Sequence, residues 1–110
     1  MVPAERGPVL VTRSYTIGPD QVDGFVGTWK GVRRSRMRTG ATSCALYRDG
    51  ANPSRFVEVS LYPTWAEHLR QHEGRLTGAD REVEEAARAM AGGGPHVEHL
   101  FPVDAGVIAL

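Results

Sequence analysis

The sequence lacks the features that define several large classes of protein. Its single cysteine, Cys44, excludes an intrachain disulfide and a cysteine-based zinc site, and fits a reducing compartment. Its apolar runs reach about four residues, whereas a membrane-spanning helix needs about 20. Its 13 basic and 13 acidic residues cancel, so it has no basic surplus for binding nucleic acid. We therefore expect a cytoplasmic protein whose partner is neither a membrane nor a nucleic acid.

The length and the hydrophobic periodicity predict one α+β domain over residues 1–110. A Thr-x-x-Glu sequence at Thr64 and Glu67 predicts a capping box at the start of a helix. The order of elements is that of the ferredoxin-like βαββαβ fold, with a four-stranded antiparallel sheet. The predicted elements are strand 9–17, helix 20–38, strands 41–47 and 55–62, a helix from Thr64 to about Gly74, helix 77–91, strand 96–103 and an apolar tail over 106–110.

The third predicted strand is apolar on both faces. Val57, Val59 and Leu61 alternate with Phe56, Glu58, Ser60 and Tyr62. Helices can cover only one face of the sheet, and an exposed apolar face implies a partner. We expect a homodimer in which two sheets pack face to face as a dimeric α/β barrel, with a pocket between each sheet and its own helices.

Two histidines are the most specific candidates for chemistry. His68 and His72 are four residues apart and therefore share one helix face. This spacing resembles the zinc-binding HExxH helix, but Glu67 precedes His68 instead of following it, and we expect no metal. The alternatives are that one histidine packs against the sheet while the other is solvated, or that they transfer a proton or orient a ligand.

Glu58 is the third candidate catalytic residue. If it points towards the helices it needs a partner, which Arg34, His72 or Tyr47 could supply. Desolvation would then raise its proton affinity and suit it to acid–base work. The alternative is a glutamate at a wet sheet edge. The arginine-rich run 33–38 is interpreted as a solvated helix face, and the alternative is that it attracts an anionic ligand.

Aromatic residues supply the candidate ligand-binding walls. Helical spacing places Phe25 and Trp29 on the inward face of the first helix, and Trp65 lies one turn before His68 on the second. The alternative is that such residues are simply core. The predicted pocket above the third strand comprises Phe25, Trp29, Tyr47 and Trp65 for substrate binding and Glu58, His68 and His72 for catalysis.

Three segments carry a resemblance to a known superfamily. They are RFVEV over 55–59, WAEHLRQH over 65–72 and TGADR over 77–81. The sequence resembles the antibiotic biosynthesis monooxygenase superfamily, and more narrowly the soluble domain at the C-terminal end of some bacterial major-facilitator exporters and its free-standing relatives.

The resemblance implies a dimeric α/β barrel and a function in one of two classes. The first is a cofactor-independent monooxygenase or cyclase acting on a hydrophobic aromatic or polyketide-type metabolite, with His72 at the place of a pocket histidine. The alternative is a non-catalytic module for small-molecule binding or dimerisation. In its favour, Pro63 stands where enzymatic members often carry a tryptophan, and Trp65 follows two residues later.

Overall fold

The computed structural model describes residues 2–103, which form one four-stranded sheet with helices packed on it. All strand pairs are antiparallel, and the strand order is β2-β3-β1-β4, which confirms the predicted ferredoxin-like α+β fold. The predicted tail at 106–110 lies outside the described residues. The strands are β1 (Val9–Thr16), β2 (Ser43–Arg48), β3 (Arg55–Tyr62) and β4 (His96–Leu100), and the helices are α1 (Val22–Arg38), α2 (Trp65–Arg70) and α3 (Gly78–Ala89).

Local sequence signals explain where the helices begin and end. A 3₁₀ turn over Pro19–Gln21 leads into α1, because proline suits a first helical turn. Gly40, two residues beyond the helix, has a φ of 131°, a conformation that favours glycine. A π-helical turn over Gln71–Arg75 extends α2.

The helix caps differ in part from the prediction. Thr64 does cap α2, since its Oγ accepts a hydrogen bond from the backbone N–H of Glu67 at 3.2 Å. The Glu67 carboxylate, however, pairs with Arg70 and Arg75, so only half of the predicted box is seen. The reciprocal box belongs to α3, where Thr77 and Asp80 each accept from the other's backbone.

The core lies between the sheet and the helices and is split in two by a band of buried polar residues. One end is built around Phe25, Trp29 and Phe56, and the other around Val11 and Tyr62. Along β1 and β3, the inward-facing residues are apolar towards the two ends of each strand and polar between them. The polar residues at the centre are Arg13, Arg36, Glu58 and Ser60, all buried.

The other face of the sheet carries a row of apolar side chains. Leu10 on β1 lies opposite Leu61 on β3 and Leu100 on β4, and Val59 is beside them. Leu10, Val59 and Leu61 are half-buried, and Leu100 is 45% exposed. Over residues 2–103, no helix combines the length and apolar character needed to cross a bilayer.

Candidate functional site

Glu58 lies at the centre of the polar band and is wholly buried. Its Oε2 accepts from Arg13 Nη1 at 3.0 Å, from Arg36 Nε at 3.1 Å and from Ser60 Oγ at 3.1 Å. Its Oε1 accepts from Trp29 Nε1 at 3.0 Å. The register of the sheet places Arg13 directly opposite Glu58. Two cations and two neutral donors therefore fix this carboxylate.

These contacts decide the ionisation of Glu58. Burial alone would raise its pKa, but the charges of Arg36 and Arg13 and the hydrogen bond from Trp29 hold the pKa below its ordinary value. The expectation of a raised proton affinity is therefore wrong. Glu58 is an ionised anchor that joins β1, β3 and α1.

The partners of Glu58 also correct two sequence interpretations. The predicted partners were Arg34, His72 and Tyr47, and none of them bonds to it. Arg36, within the run interpreted as a solvated face, is fully buried and also pairs with Glu84 at 3.2 Å. The run 33–38 is therefore solvated at Arg33, Arg34, Met37 and Arg38 but not at Ser35 and Arg36.

A second polar group, which we call the histidine cluster, consists of His68, His72, His99, Tyr62 and Trp65. The His68 ring lies at its centre, with centroid distances of 4.9 Å to His72, 4.9 Å to His99, 5.0 Å to Tyr62 and 5.2 Å to Trp65. Trp65 also contacts His99 edge-on at 5.4 Å. Three imidazoles and two aromatic rings thus share one site at the Tyr62 end of the core.

His68 is the buried histidine of the cluster, with 3% of its surface exposed. Burial, followed by the neighbouring His72 and His99, lowers its pKa to about 3. Its Nδ1 is buried and has no hydrogen-bond partner among residues 2–103. At neutral pH His68 is therefore an uncharged imidazole with one free hydrogen-bonding nitrogen.

His72 and His99 form the exposed side of the cluster. Burial against their neighbours and the positive charge of Arg13 lower the pKa of both, so both are uncharged at neutral pH. His72 also lines a cleft of about 300 Å³ between the π-helical turn and α3. The other lining residues are Leu76, Arg81, Glu84, Glu85 and Arg88.

The predicted pocket residues fall into separate groups. Trp65, His68 and His72 come together in the histidine cluster. Trp29 and Glu58 lie in or beside the polar band. Phe25 is buried in the core, with its ring 5.7 Å from that of Phe56. Tyr47 pairs with Val57 on the face opposite Glu58 and is 59% exposed. The roles of these residues in binding or catalysis stay predictions.

Two residues of these groups were absent from the sequence predictions. His99 joins the cluster because β4 pairs with β1, placing it opposite Val11, and no local signal in the sequence sets that register. Arg13 was detectable, because it falls on the inward face of β1 between Val11 and Tyr15. A charged residue at an inward position predicts a buried counter-charge. Among the described residues, no three histidine, cysteine or acidic side chains are placed to hold a metal ion.

Comparison with known protein families gives a match. The sequence model of the family described as transmembrane secretion effector matches residues 1–105. No curated protein matches the chain.

Solved structures share the fold at low sequence identity. A candidate antibiotic biosynthesis monooxygenase from Bordetella bronchiseptica is 21% identical, with a TM-score of 0.74 over 89% of this chain and 99% of that one. One from Caulobacter crescentus is 16% identical, with a TM-score of 0.76 over 92% and 94%. A variant of SnoaB, a cofactor-independent oxygenase from Streptomyces nogalater, is 13% identical, with a TM-score of 0.71 over 86% and 91%.

Proposed function

Because the chain belongs to the transmembrane secretion effector family and has the fold of the antibiotic biosynthesis monooxygenases, we propose that it binds a hydrophobic aromatic small molecule at the histidine cluster. The observation that carries the proposal is the free Nδ1 of His68, buried among aromatic rings. A buried polar atom without a partner is unfavourable, and a ligand hydroxyl would satisfy it.

The surroundings of His68 define the class of ligand. Trp65 and Phe101 are half-buried, with ring centroids 5.8 Å apart, and Val9 and Val11 lie beneath them. Flat apolar walls favour a planar aromatic ring, and a single polar atom within them fixes its orientation. A neutral imidazole nitrogen bonds to a phenol or enol without requiring a charge on the ligand. His72 and His99, on the exposed side, would rotate to admit it.

Binding can be tested with 1-naphthol and with naphthalene, which lacks the hydroxyl. We expect 1-naphthol to shift the indole N–H resonance of Trp65 in NMR spectra and to bind at least about tenfold more tightly than naphthalene. His68→Phe should abolish that preference. His96→Phe is the matched control, because His96 is exposed on the opposite face of β4. Equal binding of both compounds would contradict the proposal.

A second candidate function is cofactor-independent oxygenation of such a molecule, and the position of His72 favours it. His72 is uncharged at neutral pH and reaches a cleft, so it can accept a proton from an acidic ring carbon or phenol. The resulting anion would react with dioxygen. One oxygen atom would become a ring carbonyl, and the other would leave as water with the two hydrogens lost by the substrate.

Oxygen uptake with 1,8-dihydroxyanthrone tests this second function. We expect one dioxygen consumed per anthrone converted to the quinone, with the rate lost in His72→Gln and retained in His96→Gln. An uptake rate equal to that of the buffer alone would reject the oxygenase and leave the binding module as the function.

We also propose that the chain forms a homodimer through the open face of the sheet. Leu10, Leu61 and Leu100 form a continuous apolar row across three strands on that face. A paired interface of this kind resembles a core cut in half. Light scattering at tens of micromolar should give a dimer mass, and Leu10→Arg should give a monomer. A monomer mass for the unmodified chain would contradict the proposal.

A further inference from the structure

The groove between α1 and β2 lies at the other end of the sheet from the histidine cluster. Its volume is about 510 Å³, within the range of about 300–1,000 Å³ typical of small-molecule sites. The buried rings of Trp29 and Phe56 form part of its floor, and Tyr47, whose side chain lies on the other face of the sheet, borders it on the edge strand β2. The remaining lining residues are Val26, Lys30, Arg33, Cys44, Ala45, Leu46 and Arg48.

The charges of this groove are all positive. Lys30, Arg33 and Arg48 are exposed and line it, and no acidic residue does. None of the three forms a salt bridge within the described part of the chain, whereas Arg38, further along α1, pairs with Asp80. An apolar groove bordered by cations without counter-ions attracts an organic anion.

Two of these cations are held in place through one nitrogen each. Arg33 donates from Nε to the carbonyl oxygen of Cys44 at 2.9 Å. Arg48 donates from Nε to the carbonyl oxygen of Pro53 at 2.7 Å, and its guanidinium lies 5.0 Å from the ring centre of Phe56. The Nη groups of both have no acceptor among residues 2–103. Fixed guanidinium groups with free Nη donors suit a carboxylate, which accepts two parallel hydrogen bonds.

We propose that this groove is a second ligand site, which takes an aromatic carboxylate. The ring would pack against Val26, Leu46 and the apolar floor, and the carboxylate would accept hydrogen bonds from Arg33 at the rim, with Lys30 and Arg48 adding positive charge. Because the arginines are already anchored, binding would cost little side-chain entropy. This site is independent of the histidine cluster and requires a charged ligand.

The two tryptophans allow the sites to be distinguished in one experiment. Trp29 lines this groove, and Trp65 belongs to the histidine cluster. We expect 2-naphthoate to shift the indole N–H resonance of Trp29 and to leave that of Trp65 unchanged. The neutral isostere 2-naphthalenemethanol should bind at least about tenfold more weakly, since it cannot make the charged hydrogen bonds. If 1-naphthol does not shift the Trp65 resonance, the proposed ligand site at the histidine cluster fails, but the Trp29 result with 2-naphthoate still stands.

Neighbouring arginines supply a matched pair of variants. Arg33→Gln should weaken 2-naphthoate at least about tenfold. Arg34→Gln makes the same charge change one residue away, but Arg34 lines the separate cleft between α1 and α3, so affinity should stay within about twofold. If Arg33→Gln fails to fold, Lys30→Gln replaces it, with a loss of at least about threefold expected. Equal losses in Arg33→Gln and Arg34→Gln, equal binding of the neutral isostere, or a shift at Trp65 alone would overturn the proposal.

Discussion

The polar band around Glu58 and the histidine cluster around His68 both bury polar side chains on the helix-covered face of the sheet, but the hydrogen bonds that these side chains form differ. In the band, one carboxylate receives hydrogen bonds from two arginines, a serine and a tryptophan. In the cluster, an imidazole is surrounded by rings and keeps a nitrogen without a partner. The band is charged, whereas the cluster is neutral at physiological pH.

The difference separates a structural role from a candidate functional one. A buried ion pair is costly to break, because removing one partner leaves the other charged and unpaired. This holds for the band even though Arg36 Nη1 and Nη2 have no hydrogen-bond acceptor among residues 2–103. A buried neutral group with a missing bond costs less to replace, and it gains when a ligand supplies the bond. We therefore assign the band to the stability of the fold and the cluster to recognition.

Breaking the band should have the largest effect. Glu58→Gln keeps the shape but removes the charge that Arg13 and Arg36 share, and we expect a loss of about 3 to 5 kcal/mol in the free energy of unfolding. Urea denaturation measures it. Glu85→Gln is the control, because Glu85 forms an exposed pair with Arg88 at 3.1 Å and should leave stability unchanged. A small effect of Glu58→Gln would mean that the band does not anchor the fold.

Acidification should have the next largest effect on stability, and it should act through the histidine cluster. The folded pKa of His68 is about 3, below the unfolded value of about 6.5. As the pH falls below about 6.5, the unfolded chain gains a proton that the folded chain does not, so stability declines by up to about 1.4 kcal/mol per pH unit. The contribution of His68 to the free energy of unfolding is fully present above about pH 6.5 and is lost as the pH falls towards the folded pKa.

The measurement is the free energy of unfolding at pH 7 and at about pH 5, where carboxylates still contribute little. His72 and His99 also have lowered pKa values and add to the slope. His68→Phe should therefore reduce the slope without abolishing it. A slope equal to the unmodified chain's in His68→Phe would show that His68 is protonated when folded.

The sequence predicted the fold because its signals are local. The alternation along β3 and the helical spacing of Phe25, Trp29 and Val32 depend only on neighbouring residues. The same spacing contains Arg36, seven residues after Trp29, so its burial could have been anticipated from its position on the inward face.

The contents of the sites were less predictable because they depend on pairing between distant strands. Arg13 meets Glu58 only because of the β1–β3 register, and His99 reaches His68 only because of the β1–β4 register. A shift of one residue in either register would turn those side chains to the other face of the sheet. Sequence spacing correctly grouped Trp65, His68 and His72, since one continuous helical segment carries them.

Removing the cap of the helix that carries part of the cluster should have a smaller effect on stability. Thr64 caps the helix that carries Trp65 and His68, so Thr64→Ala should cost roughly 1 kcal/mol, and Thr64→Ser should restore most of it. Thermal melting measures the change. A melting temperature unchanged within error would show that the bond from Glu67 N–H to Thr64 does not stabilise this helix.

The smallest effect on stability should come from His68→Phe, although this change removes the centre of the cluster. Phenylalanine has a similar shape, packs against Tyr62 and Trp65, and eliminates the buried nitrogen that lacks a partner. We expect the free energy of unfolding at pH 7 to change by less than about 1 kcal/mol in either direction. The same variant should lose the preference for 1-naphthol over naphthalene. A loss of stability as large as that of Glu58→Gln would instead show that His68 is a structural residue, and the distinction between band and cluster would fail.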